Sequence, residues 1–219
     1  MALVLNLETA TTNCSVSLSK DGETLILKED NTPGYSHAEK LHLFIDEVFK
    51  STKIKPSDID AVAVSKGPGS YTGLRIGVSS AKGLCYALNK PLLAIDTLEI
   101  LAHQIKIEEG FIVAMLDARR MEVYSAIYDS NYNMVRAIKA EVLNELSYNE
   151  LLKNNNVYFV GSGVLKTKEL ISHPNAIFVE DKLPSAYEMS KLSELKYKKS
   201  DTEDVAYFEP YYLKDFIAK

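Results

Sequence analysis

Ser65-Lys66-Gly67-Pro68-Gly69-Ser70-Tyr71-Thr72-Gly73-Leu74-Arg75-Ile76-Gly77 joins the apolar run Ala61–Val64 to a low-polarity run ending at Leu88. The first run reads as a buried strand. The second reads as a helix over 73–88 with Thr72 as its N-cap. A Gly/Pro/Ser loop between strand and helix is a place where phosphates bind, because the first N–H groups of a helix lack intrahelical partners. Two generic motifs fail, however. A P-loop has Lys and Ser/Thr directly after its last glycine, and here Leu74 and Arg75 follow Gly73. The dinucleotide fingerprint fits Gly67 and Gly69, but Gly73 arrives one residue late. Asp96 lies near the distance for that motif's acidic residue, yet it follows Pro91–Ile95 and more simply opens the next helix. Read as a generic motif, the loop remains a tight turn.

Working outward, residues 2–8, 14–19 and 24–29 read as a three-strand meander, with turns at Asn13 and Asp21-Gly22. Pro33-Gly34 breaks it. Ser36 and Glu39 form a capping box for a helix whose apolar positions are Ala38, Leu41, Ile45, Val48 and Phe49. After the strand 61–64 and the helix 73–88 come a strand at 92–95 and a helix over 97–106. A second meander follows at 111–117, 121–129 and 133–142, then a helix at 146–153 and a strand at 157–160. Gly161-Ser162-Gly163 leads into a helix over 164–172, Ile177–Val179 forms a short strand, and Ser185 caps a last helix ending at Lys198. The order βββαβα thus occurs twice, without sequence identity between the halves. This predicts an α/β protein of two lobes, residues 1–106 and 107–219.

The 219 residues suffice for a buried core in each lobe. No apolar run reaches the ~18 residues of a membrane span, and the N-terminus opens directly on a strand rather than a leader, so a cytoplasmic location is expected. Cys14 and Cys85 sit in apolar contexts without ligand spacing and read as reduced core thiols. The net charge of −5 disfavours independent nucleic-acid binding. The cluster Lys196, Lys198 and Lys199 is followed at once by Asp201, Glu203 and Asp204, which makes it a mixed-charge solvated segment.

Taken whole, Gly67–Leu84 closely resembles the signature of the TsaB (YeaZ) family, part of the bacterial machinery that makes the threonylcarbamoyl modification on tRNA adenosine next to the anticodon. Leu3–Leu18 is similar to that family's opening hairpin, Tyr35–Leu41 to its His-Ser-Glu-type helix start, Met115–Tyr124 to its Asp-Ala-Arg-Arg strand turn, and Pro210–Leu213 to its ending. The likeness is strong over residues 1–130 and loose beyond. It implies the two-lobed fold of the actin, Hsp70 and sugar-kinase superfamily. It also implies a noncatalytic subunit that binds and activates the catalytic paralogue TsaD together with the ATPase TsaE. By the same resemblance, tRNA is reached only through the complex, a homodimer is possible in principle, and any ATP or ADP lies at a subunit junction rather than on this subunit alone.

In the superfamily, an acidic residue in the first hairpin helps hold a metal; here the spot is Leu7-Glu8-Thr9-Ala10-Thr11, with Glu for Asp and no glycine in the turn. The paralogous catalytic subunit carries His-x-x-x-His on its first helix. Here His37 has Leu41 at i+4, and His42 lies about 140° around the helix. No metal site is therefore expected. His37 reads as a hydrogen-bonding surface residue and His42 as partly buried, while His103 and His173 stand alone. Asp117, Arg119 and Arg120 read as a structural Asp–Arg pair at a strand turn. An ATP-dependent phosphotransferase, or a protease acting on TsaD, remains the alternative, but neither an acidic base nor a nucleophile–base pair stands out.

The helix 73–88 is nearly uncharged all round, which predicts burial on more than one side. Its glycines each cost about 1 kcal/mol relative to Ala unless close packing offsets them. With the first helix it is expected to form a four-helix interface with a second copy or with TsaD. The expected contacts are Tyr35, His37, Leu41, Phe44, Ile45 and Val48 on the first helix, and Tyr71, Thr72, Arg75, Ile76, Ser79, Ser80 and Gly83 on the second.

Overall fold

A computed structural model describes residues 2–32 and 37–214. The chain divides into two units, Met1–Ile100 with Pro184–Lys219, and Leu101–Leu183.

The first unit is built on a five-stranded sheet of β1 (Leu3–Glu8), β2 (Cys14–Lys20), β3 (Glu23–Asp30), β4 (Ala61–Gly67) and β5 (Leu92–Asp96), in the order β3-β2-β1-β4-β5. β1 pairs antiparallel with β2 and parallel with β4, and β5 runs parallel to β4. The parallel strands β4 and β5 open with unbroken apolar runs because both sheet faces are covered. On one face lie α1 (His37–Thr52) and α2 (Tyr71–Leu88), which bury Leu41, Ile45, Val48, Val78, Ala81 and Cys85 against Leu5, Leu7, Val16 and Val62. On the other lies α6 (Ala186–Lys198), whose Met189 and Leu192 pack with Val4, Ala63, Leu93 and Ile95. The expected cap of α2 was Thr72. Ser70 fills that role, its hydroxyl accepting from Gly73 N–H at 3.2 Å. The expected capping box of α1 rests on Ser36, which lies outside the described residues.

The placement of α6 departs from the sequence-based division at residue 106. β2 alternates Val16 and Leu18 with Ser15, Ser17 and Ser19. Such a pattern suggests a solvated serine face, yet all three serines are buried. Ser17 Oγ donates to Ala186 O at 2.7 Å, Ala186 N donates to Ser15 Oγ at 2.8 Å, and Asn13 Nδ2 donates to Pro184 O at 3.1 Å. The serine face therefore receives the start of α6 and carries the C-terminal segment into the first unit. From α6 the chain continues beside β5 and α2: Glu203 N donates to Leu92 O at 2.9 Å, Lys82 Nζ donates to Phe208 O at 2.8 Å, and Tyr211 N donates to Lys66 O at 2.7 Å.

The second unit repeats the topology. β6 (Phe111–Asp117), β7 (Glu122–Asp129), β8 (Met134–Val142), β9 (Val157–Val160) and β10 (Ala176–Val179) lie in the order β8-β7-β6-β9-β10, again with an antiparallel meander and two parallel additions. α4 (Asn149–Leu152) and α5 (Val164–Leu170) are shorter than their sequence pattern predicts, and so is α3 (Thr97–Ala102), which follows β5. The duplicated order is the α/β arrangement of the actin, Hsp70 and sugar-kinase type. Among the described residues, no helix is long and apolar enough to cross a membrane, and no cluster of His, Cys, Asp and Glu has metal-binding spacing.

Candidate functional site

At the carboxyl ends of β1 and β4, the turn Glu8–Thr11 and the loop Gly67–Gly73 meet. In open α/β sheets this end of parallel strands is the ordinary place for a ligand. Here the two segments are bonded to each other. Ser70 N–H donates to Ala10 O at 2.7 Å, and Thr9 Oγ1 donates to Gly73 O at 2.8 Å. A Cβ on Gly69 would fall on Ala10 O, one on Gly73 on Thr9 O, and one on Gly77 on Thr9 Oγ1. The glycines of the loop and of early α2 thus admit the chain's own hairpin turn. Ser70 N–H, an amide of the kind that cradles phosphate, already has a partner.

Glu8 is fully buried. Its Oε1 accepts from Ala10 N–H at 2.5 Å. Burial pushes the carboxyl up to about 7, against the pull of the Ala10 and Thr9 amides and the Ser65 hydroxyl. A carboxyl pushed up this far is about half-protonated near neutrality.

The histidines fall elsewhere than expected. His37 is buried rather than on the surface; its Nε2–H donates to Thr11 O at 2.7 Å, and burial holds its pKa below the usual value despite that bond. It ties the start of α1 to the same hairpin turn. His42 is exposed rather than partly buried, and its Nε2 lies 3.3 Å from Ser80 Oγ, linking α1 to α2. His103, expected to stand alone, stacks on Tyr132 with centroids 4.0 Å apart, and His173 Nδ1 accepts from Asn175 N–H at 3.1 Å.

The outer faces of α1 and α2 form the second feature. Of the thirteen residues expected there, His37, Leu41, Ile45 and Val48 turn inward and belong to the core, because α1 has one apolar stripe and its own sheet takes it. Tyr35 lies outside the described residues. Phe44, Tyr71, Ile76 and Ser80 are half-buried, while Thr72, Arg75, Ser79 and Gly83 are exposed. The Arg75 guanidinium lies 4.1 Å over the Tyr71 ring, and Arg75 Nε donates to Tyr212 Oη at 3.3 Å. Sequence periodicity missed two exposed members of this face, Leu43 (51% exposed) and Tyr86 (87% exposed). A Cβ on Gly83 would meet nothing within 4 Å.

In the second unit, Asp117 pairs with Lys166 Nζ at 2.9 Å rather than with an arginine, while Arg119 N–H donates to its Oδ1 at 2.6 Å. Sequence reading also missed a half-buried network. Burial pushes Glu141 up, but hydrogen bonds from Lys139, Ser125 and Tyr148 and the charge of Arg136 outweigh it and hold the carboxyl at about 2. This network braces β7, β8 and Tyr148, with Arg136 Nε left without a hydrogen-bond partner. Cys14 and Cys85 are free buried thiols pushed up to about 11 by burial, as befits core residues.

A family model described as "TsaD: tRNA N6-adenosine threonylcarbamoyltransferase" matches residues 34–219. The chain is 28% identical to "tRNA threonylcarbamoyladenosine biosynthesis protein TsaB" of Haemophilus influenzae, over 98% of this chain and 94% of that protein. It is 28% identical to the Escherichia coli protein of the same description, over 98% and 96%. Among solved structures, "YeaZ from Pseudomonas aeruginosa" superposes with a TM-score of 0.81 at 27% identity, covering 97% of this chain and 100% of that one. A second Pseudomonas aeruginosa structure, described as having similarity to peptidase YEAZ, superposes with a TM-score of 0.87 at 25% identity, covering 98% and 100%. The family model and these relatives agree: the chain belongs to the TsaB/YeaZ family, within the broader group that the threonylcarbamoyltransferase model describes.

Proposed function

We propose that this chain is a noncatalytic subunit in the synthesis of threonylcarbamoyladenosine on tRNA. In this reading it binds and activates a catalytic TsaD paralogue, acts with the ATPase TsaE, and works in the cytoplasm. The observation that carries the proposal is the closed glycine loop. Space that would admit phosphates in an active member of this fold is taken by Thr9 and Ala10, and the loop amide of Ser70 is already bonded. The binding surface is the exposed part of α1 and α2: Leu43, Phe44, Thr72, Arg75, Ile76, Ser79, Ser80, Gly83 and Tyr86. Gly83 supports it. An exposed glycine within a helix costs about 1 kcal/mol relative to Ala, and nothing in its own unit needs the space. A partner backbone lying against that position would. The same face also suits a homodimer, and any nucleotide would sit at a junction with the partner.

A peptidase reading needs a nucleophile held beside an oriented base. The Ser80–His42 contact comes nearest, but among the described residues no carboxylate bonds His42. A phosphotransferase reading needs an open phosphate site.

The test is co-purification with the TsaD and TsaE proteins of the same genome, followed by tRNA modification with each subunit omitted in turn. A stable complex and activity that requires this chain are expected. Magnesium-dependent ATP turnover by the isolated chain, or failure to associate with TsaD, would overturn the proposal.

A further inference from the structure

The β6–β7 connection carries a surface that neither the core nor the α1/α2 face explains. Arg119 and Arg120 occupy consecutive left-handed positions, with φ of 70° and 48°. Tight hairpin turns of this hand favour Asn-Gly, since side chains other than Gly, Asn and Asp are strained there. The turn is held by Ala118 N–H donating to Glu122 O at 3.0 Å and by Asp117 Oδ1 accepting from Arg119 N–H. Both arginine side chains are exposed, and neither guanidinium makes a hydrogen bond or ion pair among the described residues. Asp117 is occupied by Lys166, which also donates to Arg120 O at 2.6 Å and Glu122 O at 3.1 Å. The nearby carboxylate that would otherwise quench the pair is thereby spent, leaving Glu122 as the other acid at the turn.

Apolar side chains lie beside the two arginines. Met121 is 39% exposed; its carbonyl accepts from Leu143 N–H at 2.7 Å, which brings the end of β8 and Val142, 67% exposed, alongside. Exposed arginine and methionine among aliphatic side chains is the composition of a protein interface. An RNA backbone would instead call for several unpaired cations, and stacking bases would call for exposed aromatics.

We propose that this turn is a second docking site, for a protein partner that presents carboxylates between apolar side chains. Two guanidinium forks can each take a carboxylate bidentately, and the Met121 and Val142 rim excludes water from those contacts. The inference rests on the reading above that the chain works within an assembly, and it adds a site on the other unit.

The experiment uses the full chain and four proteins: wild type, the double variant Arg119→Asn with Arg120→Gly, the rim variant Met121→Ser with Val142→Ser, and Gly83→Leu on α2. Each is titrated by calorimetry with purified TsaD, TsaE, the two together, and total tRNA. Expected is a higher Tm for the double variant, because strain is removed, with at least tenfold weaker binding of TsaE or of the TsaD–TsaE pair. The rim variant should weaken the same binding. Unchanged protein binding by both turn variants, with loss only in Gly83→Leu, would overturn this site and leave the assembly reading standing. Loss confined to tRNA binding would overturn it in favour of an RNA contact. Absence of wild-type binding to either protein would overturn both.

Discussion

Glu8 ends β1 with an acidic group where an open phosphate site would have used one, and its environment sets a sign that can be measured. Its folded pKa is about 7 against an ordinary 4.5, because burial opposes the charged form. Between those values the folded state holds more proton than the unfolded state, so stability falls as pH rises from 4.5 through about 7 and then levels off. The shift corresponds to about 3 kcal/mol. Glu8→Gln keeps an oxygen to accept from Ala10 N–H but cannot titrate. The variant is expected to gain stability relative to wild type as pH rises across that window, as read by urea unfolding at a series of pH values. His37 works in the opposite sense, since its lowered folded pKa withdraws stability as pH falls below 6.5. The difference between wild type and variant cancels that contribution. An identical pH profile for the two proteins would mean that Glu8 is not the buried acid described.

At the scale of the element, α2 separates two uses of glycine that its sequence alone does not. Gly73 and Gly77 admit Thr9, so alanine at either position must displace backbone or the Thr9 hydroxyl, at a cost of about 1–3 kcal/mol. Gly83 faces open space, so Gly83→Ala should stabilise the isolated chain by about 1 kcal/mol while weakening association with TsaD. Thermal unfolding of the three variants, set beside their co-purification yields, checks both signs. Destabilisation by Gly83→Ala would remove the argument from open space. The strand and helix order was legible in the sequence because hydrophobic period and turn residues agreed, as at Asp21-Gly22 and at the Ser185 cap of α6. Leu41, Ile45 and Val48 were read as interface because an apolar stripe looks the same whether its cover is a partner or its own sheet. The serines of β2 hid the docking of α6, since alternation does not distinguish water from a buried helix start. Nor did spacing reveal the Glu141 network, whose members Ser125, Arg136, Glu141 and Tyr148 come together only through strand pairing.

Across the whole chain, charge argues that RNA is held mainly by something else. The net charge is −5, and two of the three lysines in the cluster that might have offset it are committed: Lys196 pairs with Asp201 at 2.6 Å and Lys198 with Glu194 at 3.0 Å. Lys28, Lys50, Lys66, Lys153 and Lys168 are likewise paired with carboxylates. Exposed pairs of this kind are individually worth little, so the partners add little stability. Their effect is to reduce the number of cations from which phosphate binding could displace counterions, and counterion release supplies most nonspecific affinity. Among the described residues Lys20, Lys53, Lys55, Lys90, Lys106, Lys182, Lys191 and Lys199, like Arg119 and Arg120, make no such pair, but they are dispersed along a chain that is acidic as a whole. The isolated chain is therefore expected to show no retention of tRNA in filter binding at about 0.15 M salt, near the physiological ionic strength, while a complex with TsaD retains it. The discriminating quantity is the slope of log affinity against log salt. A slope near −2 for the isolated chain at low salt that vanishes in the double variant would trace to the arginine turn. A slope several charges steeper, with micromolar binding, would show a phosphate-binding surface that the paired lysines do not supply, and would reassign this chain from partner to RNA carrier.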